Sequence, residues 1–227
     1  MFDPVAAFQD AAAGLLNDNM FMLPLTTDPI NYRKALKLVQ RRHWQVAINT
    51  KIATLERLGV WEKYQSEDIP AGHNTIGLRF TLHAKTNKQG KVVSYKACLV
   101  VQGNNQPKKL FKGMFTPTAK FSSIRLLLAI IVKHGYNVHQ CDVNLAFPQA
   151  ELNPEEVVFI RLPEGLRDLP AYTSFVLCLC KALYGLKQSA SAWNLLVHKD
   201  LTVLGYRCTC PDACIYVRVL ANGCGST

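Results

Sequence analysis

The 227-residue sequence has no acidic residue between Asp68 and Asp142, no Lys or Arg before Arg33, no internal repeat, and no apolar run longer than Leu126–Val132. That run falls far short of the roughly 20 residues a membrane-spanning helix needs, so no membrane partner is expected. The stretch Met1–Gln9 lacks a basic segment and carries Asp3, which argues against a secretory signal ahead of the apolar Ala11–Leu16. An intracellular location follows as the expectation, with cysteines 98, 141, 178, 180, 208, 210, 214 and 224 mostly as thiols. Cys208-Thr-Cys210 with Cys214, and Cys178-Leu-Cys180, lack the two-residue spacing of zinc knuckles, so buried or incidental thiols are the better reading.

What is present is a globular composition, 49% hydrophobic and 19% charged, with enough length for a sizeable core. The net charge of +10 is unevenly placed: residues 1–32 carry −4, residues 33–133 carry +15 and residues 134–227 carry −1. Arg79, Lys85, Lys88, Lys91, Lys96, Lys108, Lys109, Lys112, Lys120, Arg125 and Lys133 fall in the stretch without acids. Such a field attracts phosphate backbones with a salt-dependent affinity, although a solvated basic face has the same composition.

Residues 1–27 read as a poorly anchored leader and residues 220–227 as a tail. A helix is predicted after Asp28-Pro29, with Tyr32, Ala35, Leu36 and Val39 on one face. A second, from about Trp44 to Leu58, stops at Gly59, and both read as surface helices. Alternation from Ile76 to Leu82, a turn at Asn87–Gly90 and the return Val92–Val101 predict a basic β-hairpin. Ser122 and Ser123 are candidate caps for an interior helix through Leu126–Val132 that ends before Gly135. Beyond it are predicted a short strand carrying Asp142 at its end, a turn at Pro148, strands at 157–160, 175–180 and 214–219, and a helix over 189–204. This mixture without regular β-α-β alternation is an α+β fold.

Several segments carry a family likeness: DPINYRKAL and W-x-x-A-I within 28–48, KTNKQGKVVSYKA at 85–97, FTPTAKFSSIR at 115–125, QCDVNLAF at 140–147, ALYGLKQ at 182–188 with Trp193 behind it, and DACIY at 212–216. In this order, over residues 28–219, the chain resembles the reverse transcriptase domain of copia-type LTR retrotransposons. The resemblance implies part of a right-hand polymerase fold, with the basic hairpin as fingers over a palm that carries Asp142. It implies RNA-directed DNA synthesis on an RNA or DNA template-primer with deoxynucleoside triphosphates. It also implies two Mg²⁺ ions, set about 3.5–4 Å apart, for which Asp142 is the first carboxylate ligand and the catalytic residue. Val143, Phe147, Gln188, Lys85 and Lys96 would then bind the nucleotide, the Phe147 ring excluding a 2′-hydroxyl. Arg79, Lys88, Lys91 and Lys187 would contact nucleic acid.

The likeness has gaps. The family's Y-V-D-D turn supplies two further carboxylates, yet no two aspartates are adjacent in this sequence. The chain therefore reads as a truncated domain without thumb, connection or ribonuclease H regions, and polymerisation by it alone is not expected. The arginine of the family's K-A-R-L-V is Cys98, a thiol that cannot act as a forked cation, and the expected F-L-N-G is Phe147-Pro148-Gln149-Ala150. Two other roles stay open: a non-catalytic nucleic-acid-binding module using the basic hairpin, or an interaction module whose palm is completed by a second chain.

Overall fold

A computed structural model describes residues 31–219 except 71, 72, 74, 108, 109, 111, 112, 164, 165, 168–171 and 173. The leader, the Asp28-Pro29 helix start, Lys108, Lys109, Lys112, Cys224 and the tail lie outside the described residues.

Helix α1 (Tyr32–Lys37) is capped by Asn31, whose side chain accepts from the Lys34 N–H at 2.9 Å. Helix α2 (Arg41–Arg57) buries Trp44, Ile48, Ile52 and Leu55, the one-sided stripe that the spacing predicts, and ends at Gly59 with φ +62°. Each such side chain contributes about 1.5–3 kcal/mol on full burial. Their cover is the inner face of the hairpin β2 (Ile76–Thr86) and β3 (Val92–Val101), where Trp44 meets Tyr95 edge-on at 4.7 Å. The hairpin turn is held by Asn87, whose side chain accepts from the Gln89 and Lys91 N–H groups, with Gly90 at φ +78°.

Among the described residues the main sheet has the order β1-β5-β4-β2-β3, formed with β1 (Trp61–Gln65), β4 (Phe159–Arg161) and β5 (Phe175–Leu179). β2 and β4 run parallel and the other pairs antiparallel, so the sheet is mixed. Strand β1 has no counterpart in the sequence reading. It is an edge strand with one buried residue, Trp61, and its polar remainder carries no alternation to detect.

Helix α3 (Phe121–His134) corrects one expectation and meets another. It ends at Gly135 in the left-handed conformation, as predicted, but it is not interior: none of its residues is buried, and Leu126 and Val132 are 63% and 82% exposed. An apolar circumference calls for a cover on every side, and no described strand or helix packs along it. Its start is capped from a distance. Asp212 accepts from the Lys120 N–H at 2.8 Å and from the Ser123 side chain, in place of a local serine cap.

The strand expected to carry Asp142 is absent too. Residues 136–143 are irregular and exposed, because a strand exists only in a ladder and no described strand pairs with them. A short helix, α4 (Ala146–Gln149), follows and buries Pro148 where a turn was predicted. Ala150, in the place of the expected glycine, has φ −87° and needs no glycine; the left-handed residue is Leu145 at φ 55°. Helix α5 (Ser189–Val203) matches its predicted span. The last strand shrinks to β7 (Tyr216–Val217), paired with β6 (Arg207–Cys208).

Candidate functional site

The hairpin sorts its side chains by alternation. Phe80, Leu82, Ala97 and Leu99 face the helices, while Arg79, Lys85, Lys96 and Cys98 share the opposite, outward face. In register, Thr81 pairs with Cys98, His83 with Lys96 and Lys85 with Ser94. Lys88 and Lys91 are exposed at the turn. Lys51 of α2 lies within electrostatic range of Lys96 and Cys98: burial pushes its ammonium below the usual lysine range, Cys98 opposes that shift and Lys96 adds to it. Lys51 is a basic residue of this region that sequence reasoning missed.

The loop 182–188 docks on the far end of β3. The Val101 N–H donates to the Tyr184 carbonyl at 2.7 Å. Gly185 has φ +94°, and a Cβ there would strike the Val101 carbonyl; one at Gly103 would strike the Gly185 carbonyl. The glycine of Y-G-L-K-Q is thus required twice, by its dihedral and by this close approach.

Tyr184 touches two other segments that carry the family likeness. Its ring lies 4.7 Å from that of Phe147, and burial, then Cys98, then Asp142, raise its phenol above the usual range. Phe147 and the end of β3 therefore meet at one residue, whose phenol feels the charge of Asp142. Asp142 itself is exposed, and Val143 beside it is 49% exposed. Tyr184 stood within a recognised motif, but nothing in the spacing marked it.

Gln188 and Lys187 are held on the other side of that loop. The Lys187 N–H donates to Gln106 Oε1 at 3.1 Å, Gln106 Nε2 donates to Gln188 Oε1 at 2.8 Å, and Gln188 Nε2 donates to the Leu110 carbonyl at 3.3 Å. Lys187 Nζ donates to the Gln106 carbonyl at 3.1 Å. Both glutamines are 3% exposed. Gln188 also lines a cleft of about 460 Å³ with Gln149, Glu151, Asn153, Ser191 and Lys199; neither Asp142 nor Phe147 lines that cleft.

For two Mg²⁺ ions the donor set does not suffice. Among the described residues no three His, Cys, Asp or Glu side chains gather to hold a metal. Asp212 spends its oxygens on the Lys120 and Cys214 N–H groups. Asp142 is left as a single exposed carboxylate, which matches one Mg²⁺ ligand and not a two-metal centre. No helix of the described residues is long and apolar enough to cross a membrane.

Residues 61–224 match the family described as reverse transcriptase (RNA-dependent DNA polymerase). The chain is 33% identical over 189 residues to the retrovirus-related Pol polyprotein from transposon RE1 of Arabidopsis thaliana, covering 82% of this chain and 12% of that protein. It is 29% identical over 192 residues to the corresponding polyprotein from transposon TNT 1-94 of Nicotiana tabacum, covering 84% and 14%. With the transposon Ty1-BL Gag-Pol polyprotein of Saccharomyces cerevisiae it shares 25% identity over 171 residues, covering 73% and 9%. The chain thus spans about an eighth of the length of the first two relatives. No solved structure matches it.

Proposed function

Because this chain belongs to the reverse transcriptase family of copia-type retrotransposon Pol polyproteins, we propose that it is the fingers and leading palm portion of an RNA-directed DNA polymerase. The observation that carries this reading is the contact of Tyr184 with both the Phe147 ring and the end of β3, which brings the Q-C-D-V-N-L-A-F segment, the Y-G-L-K-Q loop and the hairpin to one place. Arg79, Lys85 and Lys96 on the outward face, with Lys88 and Lys91 at the turn, hold the phosphates of a template-primer and of a deoxynucleoside triphosphate. The Phe147 ring selects against a 2′-hydroxyl. Asp142 is the catalytic carboxylate, and its partners in chemistry come from outside the described residues. The 227 residues bind and do not extend.

The test pairs binding with extension. An RNA–DNA template-primer is titrated with the chain from low to moderate salt, and the same material is given Mg²⁺ and deoxynucleotides. With up to five cations engaged, log affinity should fall against log salt with a slope on the order of −3 to −5. Salt-independent binding, or none, would sink the reading.

A second reading is favoured by α3. Its exposed apolar surface and the unpaired segment 136–143 are what an interrupted palm leaves uncovered, so this portion would gain activity from a second chain. Mixing it with a separately expressed Pol segment that carries a Y-V-D-D hairpin should restore primer extension, and Asp142→Asn in this chain should abolish the restored signal.

A further inference from the structure

We propose that Gln106 is a positioning residue, whose carboxamide fixes the orientation of Gln188 and the placement of Lys187, and on which nucleotide binding by the Y-G-L-K-Q loop depends. This rests on the nucleotide-binding role that the family resemblance implies for Gln188, which lines a cleft that neither Asp142 nor Phe147 lines. Nothing in the spacing of the sequence singles Gln106 out; it lies 82 residues before Gln188, in a loop after β3.

The argument is one of direction. The chain of hydrogen bonds begins at the Lys187 backbone N–H, which can only donate, and ends at the Leu110 carbonyl, which can only accept. Gln106 must therefore turn Oε1 toward Lys187, which turns Nε2 toward Gln188. Gln188 must in turn offer Oε1, which sends its own Nε2 to Leu110. Two backbone groups thus fix the sense of both amides, a choice that side-chain amides otherwise leave ambiguous. With both side chains buried, reversing either one would orphan two hydrogen-bonding groups.

Neither glutamate nor alanine at 106 does this work. Glutamate at 106 keeps an acceptor for Lys187 but has no N–H to give Gln188. Alanine offers neither. The second contact, from Lys187 Nζ to the Gln106 carbonyl, ties the ammonium to the same residue through its backbone and survives either substitution. Gln106→Glu therefore separates the orientation of Gln188 from the anchoring of Lys187.

The experiment uses the full chain with a poly(rA)–oligo(dT) template-primer and dTTP with Mg²⁺ as the probe. Gln106→Ala, Gln106→Glu and Gln188→Ala should each weaken dTTP binding about tenfold, as expected for an unpaired buried polar group. The Gln106→Ala/Gln188→Ala double variant should bind no more weakly than Gln188→Ala, since Gln106 acts through Gln188. Additive losses would overturn the proposal. The nitrogen-15 spectrum of the unsubstituted chain supplies a reading that needs neither a variant nor a nucleotide. Side-chain amide protons of Gln188 that are slow to exchange with solvent support the clamp, and freely exchanging ones overturn it. If the unsubstituted chain fails to bind dTTP while those protons are protected, the nucleotide reading falls and the clamp stands.

Discussion

The Phe147 and Tyr184 rings meet with centroids 4.7 Å apart at 50° to each other, across a loop contact that joins the short helix after Asp142 to the end of the hairpin. This contact gives the Phe147 ring a wall to rest against. The proposed role of Phe147 as a steric filter needs a ring that cannot swing away, and an aromatic pair of this kind is worth about 0.5–1.5 kcal/mol beyond its buried area.

The first prediction follows from that wall. Phe147→Ala should reduce the preference of the chain for dCTP over CTP, measured as the ratio of their dissociation constants on a bound template-primer. Tyr184→Ala should lower the same ratio by a smaller factor, because Phe147 remains but loses its support. Tyr184→Phe keeps the ring and should leave the ratio unchanged. A ratio insensitive to Tyr184→Ala would show that the loop packing, and not this contact, holds Phe147.

The second concerns Gly185, where two independent constraints coincide. Its φ of +94° strains any side chain, and a Cβ would strike the Val101 carbonyl, a backbone atom that cannot rotate away. Gly185→Ala should cost about 2 kcal/mol or more of stability, read from the urea midpoint. Gly90→Ala makes the comparison: φ is +78° there too, but the space around it is open, so the loss should be smaller.

These positions differ in how far the sequence announces them. The hairpin is legible because Ile76–Ala84 alternates strictly and Asn87–Gly90 has turn chemistry. The stripe on α2 is legible for the same kind of reason. Strand β1 is not, since an edge strand with Trp61 as its one buried residue needs no pattern. The exposure of α3 is not legible, because composition reports what a helix could cover, and the cover is a long-range property. Gln106 was silent because its partners are brought to it by the docking of residues 182–188 on β3. The motifs located Asp142, Phe147 and Gln188 along the chain. That Phe147 meets Tyr184 while Gln188 is clamped on the far side of the loop is a fact of tertiary structure.

The third prediction is a pH dependence centred on Asp212. Hydrogen bonds from the Cys214 and Lys120 N–H groups, and then from the Ser123 side chain, hold its carboxyl below the usual carboxylate range. A depressed folded-state pKa means that the stabilisation is complete above the pKa of the unfolded chain and is lost as pH falls through the folded value. Asp212→Asn should therefore be less stable than the unsubstituted chain at pH 7. The gap in urea midpoint should narrow as the pH is lowered below about 4, where an unfolded aspartate protonates. A gap that stays constant down to the acid limit would mean that the charge of Asp212 contributes nothing to capping the start of α3.

The fourth concerns thiol reactivity. Burial first, then the neighbouring Cys180 and Glu62, push the Cys178 thiol up to about 11, and burial raises Cys180 as well. Only the thiolate attacks an alkylating reagent, so at pH 8 the population of reactive Cys178 is small even where the reagent can reach it. Cys141, Cys208 and Cys210 are exposed. Timed labelling with iodoacetamide followed by peptide mass analysis should therefore modify these three well before Cys178, and mild urea should remove the difference by opening β5. Cys141 adjoins Asp142, so bound template-primer should slow its labelling without changing that of Cys208. Protection of Cys208 without protection of Cys141 would instead place the nucleic acid over the β6–β7 end of the chain and away from the face around Tyr184.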